Sequence, residues 1–181
     1  FVSIISGDRD LLQLSDKYIK IRIPKTSKGV TTTHDYLPED VISEYGVTPH
    51  EFIDVKALMG DTSDNVPGVP SIGEKTATKI IQEYHSIENA IEHVNELKPQ
   101  RASKALSENI KEAKFSKMLV TIVTDAPIET ELSDMKVGNL YTKESLEWIN
   151  KLEFKSFLKR YENVETAASI GLDISNITDL N

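Results

Sequence analysis

The chain is 181 residues long, with 39% hydrophobic, 28% charged and 7% aromatic content, enough apolar side chain for one medium core or two small ones and too much for a disordered chain. It has no cysteine, which excludes disulfide frameworks, zinc-thiolate and iron-sulfur sites and thiol catalysis, and leaves Asp, Glu, His, Ser and Lys to carry any chemistry. No apolar run reaches the roughly 18 residues of a membrane span and no secretion signal is visible, so a soluble, unsecreted protein is expected. The 21 basic and 29 acidic residues, net charge -8, argue against nucleic-acid binding through overall basicity.

Phe1 to Ser6 is a β-branched-rich run halted by Gly7-Asp8 and reads as a buried strand ending in a turn. It opens without Met and with the strand already under way, which predicts that further sequence precedes it. Residues 10 to 14 begin a helical turn. Tyr18 to Ile23 alternates polar and apolar, a half-buried strand closed by Pro24. Lys25 to Thr33 reads as a polar loop around Gly29, with room for one more edge strand after it.

Pro38-Glu39-Asp40 starts a helix that Gly46 ends, and Pro49 opens another that runs to about Met59. Gly60 to Gly73 is too rich in Asp, Ser, Asn, Pro and Gly for a regular element, and a helical period resumes from Thr76 to Tyr84. Two further helices are predicted over 86–97 and 102–118, separated by Lys98-Pro99, followed by a short β-branched run from Leu119 to Thr124. Ser145 to Tyr161 carries Leu146, Ile149, Leu152, Phe157 and Leu158 on one helical stripe beside Trp148 and Phe154, a pattern expected of core packing. From Asn163 onward there is little periodicity, which predicts a linker.

Asp8 and Asp10 lie just past the first strand at i and i+2, so both side chains leave one face. Asp61 and Asp64 follow a helix at i and i+3, a spacing that also lets two carboxylates converge. Four carboxylates with no histidine or cysteine suit Mg²⁺ or Mn²⁺ and not zinc. Two such ions about 4 Å apart activate water and stabilise the leaving oxygen in phosphodiester hydrolysis. The competing reading is that each Asp caps a turn or helix. An EF-hand is excluded, because the glycine it needs is Gln13 or Val66 here.

Asn65 to Ala77 resembles the hairpin of a helix-hairpin-helix DNA-binding element. Glycine permits close backbone approach, the N–H groups opening the next helix face an anion, and Lys75 and Lys79 lie one turn apart. Such an element reads backbone, not base sequence. A P-loop is nearly spelled by Gly68, Gly73, Lys75 and Thr76, but Glu74 breaks it and no strand precedes it. A plain turn between helices stays open as the alternative.

Gly7-Asp8-Arg9-Asp10-Leu11-Leu12-Gln13-Leu14, followed by Ala57-Leu58-Met59-Gly60-Asp61-Thr62-Ser63-Asp64-Asn65-Val66-Pro67-Gly68-Val69 and Ile72-Gly73-Glu74-Lys75-Thr76-Ala77, resembles the 5′-nuclease domain of bacterial DNA polymerase I over residues 1 to about 162. The resemblance implies an α/β fold: the C-terminal part of a parallel-sheet, PIN-like core over 1–36, a helical helix-hairpin-helix subdomain with the C-terminal nuclease helices over 37–162, and a linker into the next domain over 163–181. It implies a 5′-to-3′ exonuclease and flap endonuclease of replication and repair, with Asp8, Asp10, Asp61 and Asp64 as ligands of two divalent ions. It implies that Gly68, Ser71, Gly73, Lys75, Thr76 and Lys79 hold the backbone of duplex DNA bearing a 5′ flap or nick, with K⁺ bound at the hairpin, and that Lys104 adds a phosphate contact.

The same resemblance places polymerase domains in the parent chain and the protein at the nucleoid in the bacterial cytoplasm. Ser71 departs from the usual Gly of that turn. The family's other acidic ligands and its basic arch lie upstream of Phe1, so the isolated chain is expected to bind duplex weakly and cleave little. A non-catalytic DNA-binding module is the alternative function. His34, His50, His85 and His93 have no metal spacing and receive no role. The acidity is unevenly spread: residues 1 to 70 hold seven basic and eleven acidic side chains, 71 to 120 eight and seven, and 121 to 181 six and eleven, so the hairpin segment alone is not acidic.

Overall fold

The computed structural model describes residues 1–161; the linker expected from Asn163 lies outside them. Two units divide at Asp125 and Ala126. The first begins with a three-stranded sheet in the order β1 (Val2–Ile5), β2 (Ile19–Ser27), β3 (Val30–Tyr36). β1 and β2 are parallel, with Ile4 opposite Ile21, and β2 and β3 are antiparallel, with Ile21 opposite Tyr36. The fold is α/β, mostly helical with this small sheet, as expected.

The connection from β1 to β2 is a short 3-10 turn, Arg9–Leu14, capped by the Asp8 carboxylate, which accepts the Asp10 amide at 2.9 Å. Leu12, fully buried, fastens the turn to the core. β1 is exposed where a buried strand was expected, with Val2 55% and Ile5 66% accessible. It pairs on one side only, and of its side chains Ile4 alone packs against the core, leaving Val2 and Ile5 open among the described residues.

The strand expected to stop at Pro24 continues through it. Pairing with β1 ends at Arg22, so beyond that point β2 has one neighbour and the missing proline N–H can face the open side. The expected loop over 25–33 is the arm of a hairpin, turned by Lys28 and Gly29 at φ +50° and +78°. Two successive left-handed residues suit the right-handed twist of the strands.

The helices that follow among the described residues include α1 (Pro38–Tyr45), α2 (Pro49–Met59), α3 (Glu74–Tyr84), α4 (Ile87–Glu92), α5 (Gln100–Glu108), α6 (Ile110–Val120) and α7 (Lys143–Lys151). α1 stops at Gly46, whose φ of +73° forms the left-handed cap. α2 starts at a capping box, in which Thr48 Oγ1 accepts the Glu51 amide and the Glu51 carboxylate accepts the Thr48 amide at 2.8 Å. From Phe52 to Leu58 every residue of α2 is buried, so it is the central helix, packed against α3, α6 and the 3-10 turn.

Two charged residues of that stretch, Asp54 and Lys56, are buried with it. Asp54, 1% exposed, accepts the Ile87 amide and pairs with Lys117 Nζ at 2.7 Å, and Lys117 also reaches Glu88 at 2.7 Å. Burial pushes the Asp54 carboxyl up against the pull of Lys117. This network ties α2 to α4 and α6.

The helix expected over 102–118 is two helices. Asn109 leaves helical geometry at φ -129°, and its side-chain amide donates to the Ala105 carbonyl at 2.8 Å, closing α5 locally. The helix expected over 86–97 breaks likewise at His93, giving α4 and a 3-10 turn. In the second unit, the stripe expected to be core is not buried. Trp148 is 57% exposed, and Leu152, Phe154 and Phe157 are also exposed. α7 ends at Leu152, and Glu153 at φ +56° turns the chain before helical residues 155–161. The continuous stripe is therefore split between two short segments, and among the described residues nothing encloses it. Among the described residues no helix is long and apolar enough to cross a membrane.

Candidate functional site

Three of the four singled-out aspartates converge. Carboxylate oxygens of Asp10, Asp61 and Asp64 all lie within 4.8 Å of one another. Asp10 is brought by the 3-10 turn after β1; Asp61 and Asp64 are brought by the loop after α2. Asp8 is not in the group: it caps the 3-10 turn from an exposed position.

The loop that carries Asp61 is fixed by backbone. Asp61 and Val66 exchange hydrogen bonds at 3.0 and 2.8 Å, and Val69 donates to the Leu58 carbonyl at 2.8 Å. Gly60 (φ +74°) and Gly68 (φ +63°) lie back to back, so a Cβ on Gly68 would come within 2.5 Å of the Gly60 nitrogen. Both positions demand glycine for conformation and for space. The buried Gly68 amide donates to the Oγ of Ser116, itself fully buried on α6, at 3.0 Å.

Sequence reasoning missed Lys56. Its side chain, 11% exposed, reaches from α2 to within 2.9 Å of Asp10 and hydrogen-bonds Asp61. Burial works to lower its pKa, but its bonds to Asp61 and Asp10 outweigh that and leave it raised. Asp61 is held well below the usual carboxylate range, first by the Lys56 bond and then by the Ser63 hydroxyl and amide. The signal was a single cation inside the otherwise apolar run Val55-Lys56-Ala57-Leu58, one helical turn before Asp61.

Among the DNA-contact candidates, Ser71, Gly73, Lys75 and Lys79 are exposed and Thr76 is half-buried, whereas Gly68 is buried with its amide committed to Ser116. Gly73 is the N-cap of α3. The amides of Gly73, Glu74 and Lys75 have no hydrogen-bond partner among the described residues, so they face outward at the positive end of the helix. Ser71 takes a left-handed φ of +69°, and its hydroxyl accepts from Arg101 Nη2 at 3.0 Å. Arg101 is a second cation that sequence reasoning missed. Lys104, exposed on α5, lies 3.8 Å from Glu108.

A donor set of three carboxylates, two half-buried and one open to solvent, fits a hard divalent ion that retains waters. The internal pairing with Lys56 makes the same point: these carboxylates require a positive charge among them.

Residues 47–143 match the family model described as 5′-3′ exonuclease, C-terminal SAM fold. DNA polymerase I of Bacillus caldotenax is 40% identical over 162 residues, which is 90% of this chain and 18% of that protein. DNA polymerase I of Bacillus subtilis (strain 168) is 40% identical over 159 residues, 88% of this chain and again 18% of the relative. The chain thus spans about a fifth of the length of the DNA polymerase I relatives it matches. A bacteriophage T5 5′-exonuclease with bound zinc superposes with a TM-score of 0.55 at 27% identity, over 65% of this chain and 42% of that one. A pseudo-enzyme–product complex of the T5 flap endonuclease with DNA and metal ions gives 0.55 at 26% identity over the same shares.

Proposed function

The chain belongs to the 5′-3′ exonuclease family, whose C-terminal SAM-fold part it contains, and from that membership we propose that it supplies the downstream metal ligands and the duplex-gripping hairpin of a 5′-to-3′ exonuclease and flap endonuclease. The observation that carries this reading is the convergence of Asp10, Asp61 and Asp64 from separate elements, with the second pair only a loop away from the exposed N-terminus of α3. In this reading Asp10, Asp61 and Asp64 hold Mg²⁺ or Mn²⁺. Asp8 is a ligand of a second ion in the complete domain. When bound, the divalent ions lower the pKa of water and neutralise charge on the reacting phosphate.

The chain's own residues then divide the work. The free amides of Gly73, Glu74 and Lys75 receive a backbone phosphate, with Lys75 and Lys79 adding point charges and Thr76 a hydroxyl; a K⁺ ion at the hairpin would reinforce the same contact. Ser71 and Lys104 extend the phosphate track. The loop locked by Gly60, Gly68 and Ser116 fixes the distance between this grip and the carboxylates, so the bond cut is set by where the backbone is held. The substrate is duplex DNA carrying a 5′ flap or nick, and the parent chain carries polymerase domains, as in the relatives named DNA polymerase I, acting on the bacterial nucleoid in the cytoplasm.

The test is fluorescence anisotropy with a labelled 5′-flap duplex across a salt series, beside calorimetry with Mn²⁺. Lys75→Ala and Lys79→Ala each lower affinity and reduce the salt slope by about one unit. Asp61→Asn and Asp64→Asn remove Mn²⁺ binding and keep metal-free duplex binding. Duplex binding with no Mn²⁺ binding by the unmodified chain favours the non-catalytic module instead. Absence of duplex binding at low salt contradicts both.

A further inference from the structure

Lys56 Nζ and a divalent ion compete for the same atoms. Asp61 Oδ1 is occupied by the Ser63 amide at 2.9 Å and by the Ser63 hydroxyl, so Oδ2 is the oxygen left to ligate, and Lys56 holds Oδ2. On the other side Lys56 Nζ lies 2.9 Å from Asp10 Oδ1. An ion within ligating distance of both carboxylates, about 2.1 Å from each oxygen, falls in the space the ammonium occupies. The side chain has somewhere to go. A cavity beside it is lined by Arg9, Tyr45, Phe52, Met59 and Glu74 as well as by Lys56 itself. The Tyr45 hydroxyl there is buried without a hydrogen-bond partner among the described residues, and Glu74 brings a carboxylate.

We propose that Lys56 is the resident counter-cation of the acidic site, and that a divalent ion binds by displacing its ammonium from between Asp10 and Asp61 toward the Tyr45–Glu74 cavity. Lys56 thereby sets the metal concentration at which the site fills. In the metal-free state it also offsets the mutual repulsion of the three carboxylates, which keeps the Asp61 loop in place before an ion arrives. The proposal rests on the reading of Asp10, Asp61 and Asp64 as metal ligands.

Calorimetric titration of Mn²⁺ and Mg²⁺ into the full chain tests it, with thermal unfolding as a second readout that needs no nuclease activity. Lys56→Met is expected to bind Mn²⁺ roughly tenfold or more tighter than the unmodified chain, because no cation opposes entry. Its metal-free melting temperature falls, and saturating Mn²⁺ raises it by more than it raises that of the unmodified chain. Lys56→Arg keeps the charge and keeps the weak affinity. Lys56→Gln, which still donates to the carboxylates, gives the tightened affinity if the Met variant does not fold. Unchanged or weaker Mn²⁺ binding by both neutral variants, while Asp61→Asn abolishes binding, overturns the displacement and leaves the metal site standing. No Mn²⁺ binding by the unmodified chain or by either neutral variant overturns the metal reading and the proposal with it.

Discussion

Replacing Gly68 with alanine strikes the loop that joins the carboxylates to the hairpin. Its φ is +63°, where an L-residue costs about 1 to 2 kcal/mol. The new Cβ would meet the Gly60 nitrogen at 2.5 Å, the Gly60 Cα at 2.7 Å and the Met59 carbonyl carbon at 2.7 Å. These are backbone atoms with no rotamer to change, and the shift they force is of the order of an overpacked core, about 1 to 3 kcal/mol. Any shift also lengthens the Gly68–Ser116 bond, which buries an amide with no other partner, adding about 1 kcal/mol. The expected loss is about 4 kcal/mol, a large share of the roughly 5 to 15 kcal/mol that holds a domain together.

Gly73→Ala is the matched control. Its φ is -94° and a Cβ there meets nothing within 4 Å, so the cost stays below about 1 kcal/mol. Urea unfolding followed by circular dichroism measures both, and Mn²⁺ calorimetry on the folded fraction reports whether Asp61 has moved. A Gly68→Ala protein within about 1 kcal/mol of the unmodified chain, binding Mn²⁺ unchanged, refutes the reasoning.

Ser116→Ala removes the acceptor of the buried Gly68 amide and is expected to cost about 1 to 3 kcal/mol, with a fall in both Mn²⁺ and duplex affinity; loss of stability with neither affinity moved contradicts the linkage between α6 and the loop. The acid limb of stability follows Asp61. Because its folded pKa is depressed by Lys56 and Ser63, its contribution is present above the unfolded value of about 3.9 and is lost as pH falls below it. Asp54, raised by burial, acts with the opposite sign, so Asp61→Asn is expected to flatten the fall in urea midpoint between pH 5 and 3, and an unaltered fall contradicts the assignment.

Where local chemistry decides, the residues spoke plainly. Pro38, Gly46 and Pro49 bracket α1 and open α2 because proline at a first turn and the left-handed glycine at the end of α1 are set by their own backbones. The i, i+3 spacing of Asp61 and Asp64 likewise pointed to convergence, whereas the i, i+2 spacing of Asp8 and Asp10 did not bring Asp8 in, because its carboxylate caps the 3-10 turn. What was hidden depended on distant partners. Lys28-Gly29 turns a hairpin only because β3 pairs back along β2. Lys56 looked like one charge in an apolar helix until the fold set Asp10 against it. Gly68 was read as facing phosphate, and its amide is instead spent on Ser116, a residue with no sequence signal linking it to the loop.

The central claim is that Asp10, Asp61 and Asp64 jointly hold a divalent ion. Anomalous diffraction from crystals of the chain soaked in Mn²⁺ tests it directly. The account predicts a single strong peak about 2.1 Å from a carboxylate oxygen of each of the three residues, with Lys56 Nζ withdrawn from Asp61 Oδ2. No peak there, with the Lys56 pairs to Asp10 and Asp61 intact, would contradict it.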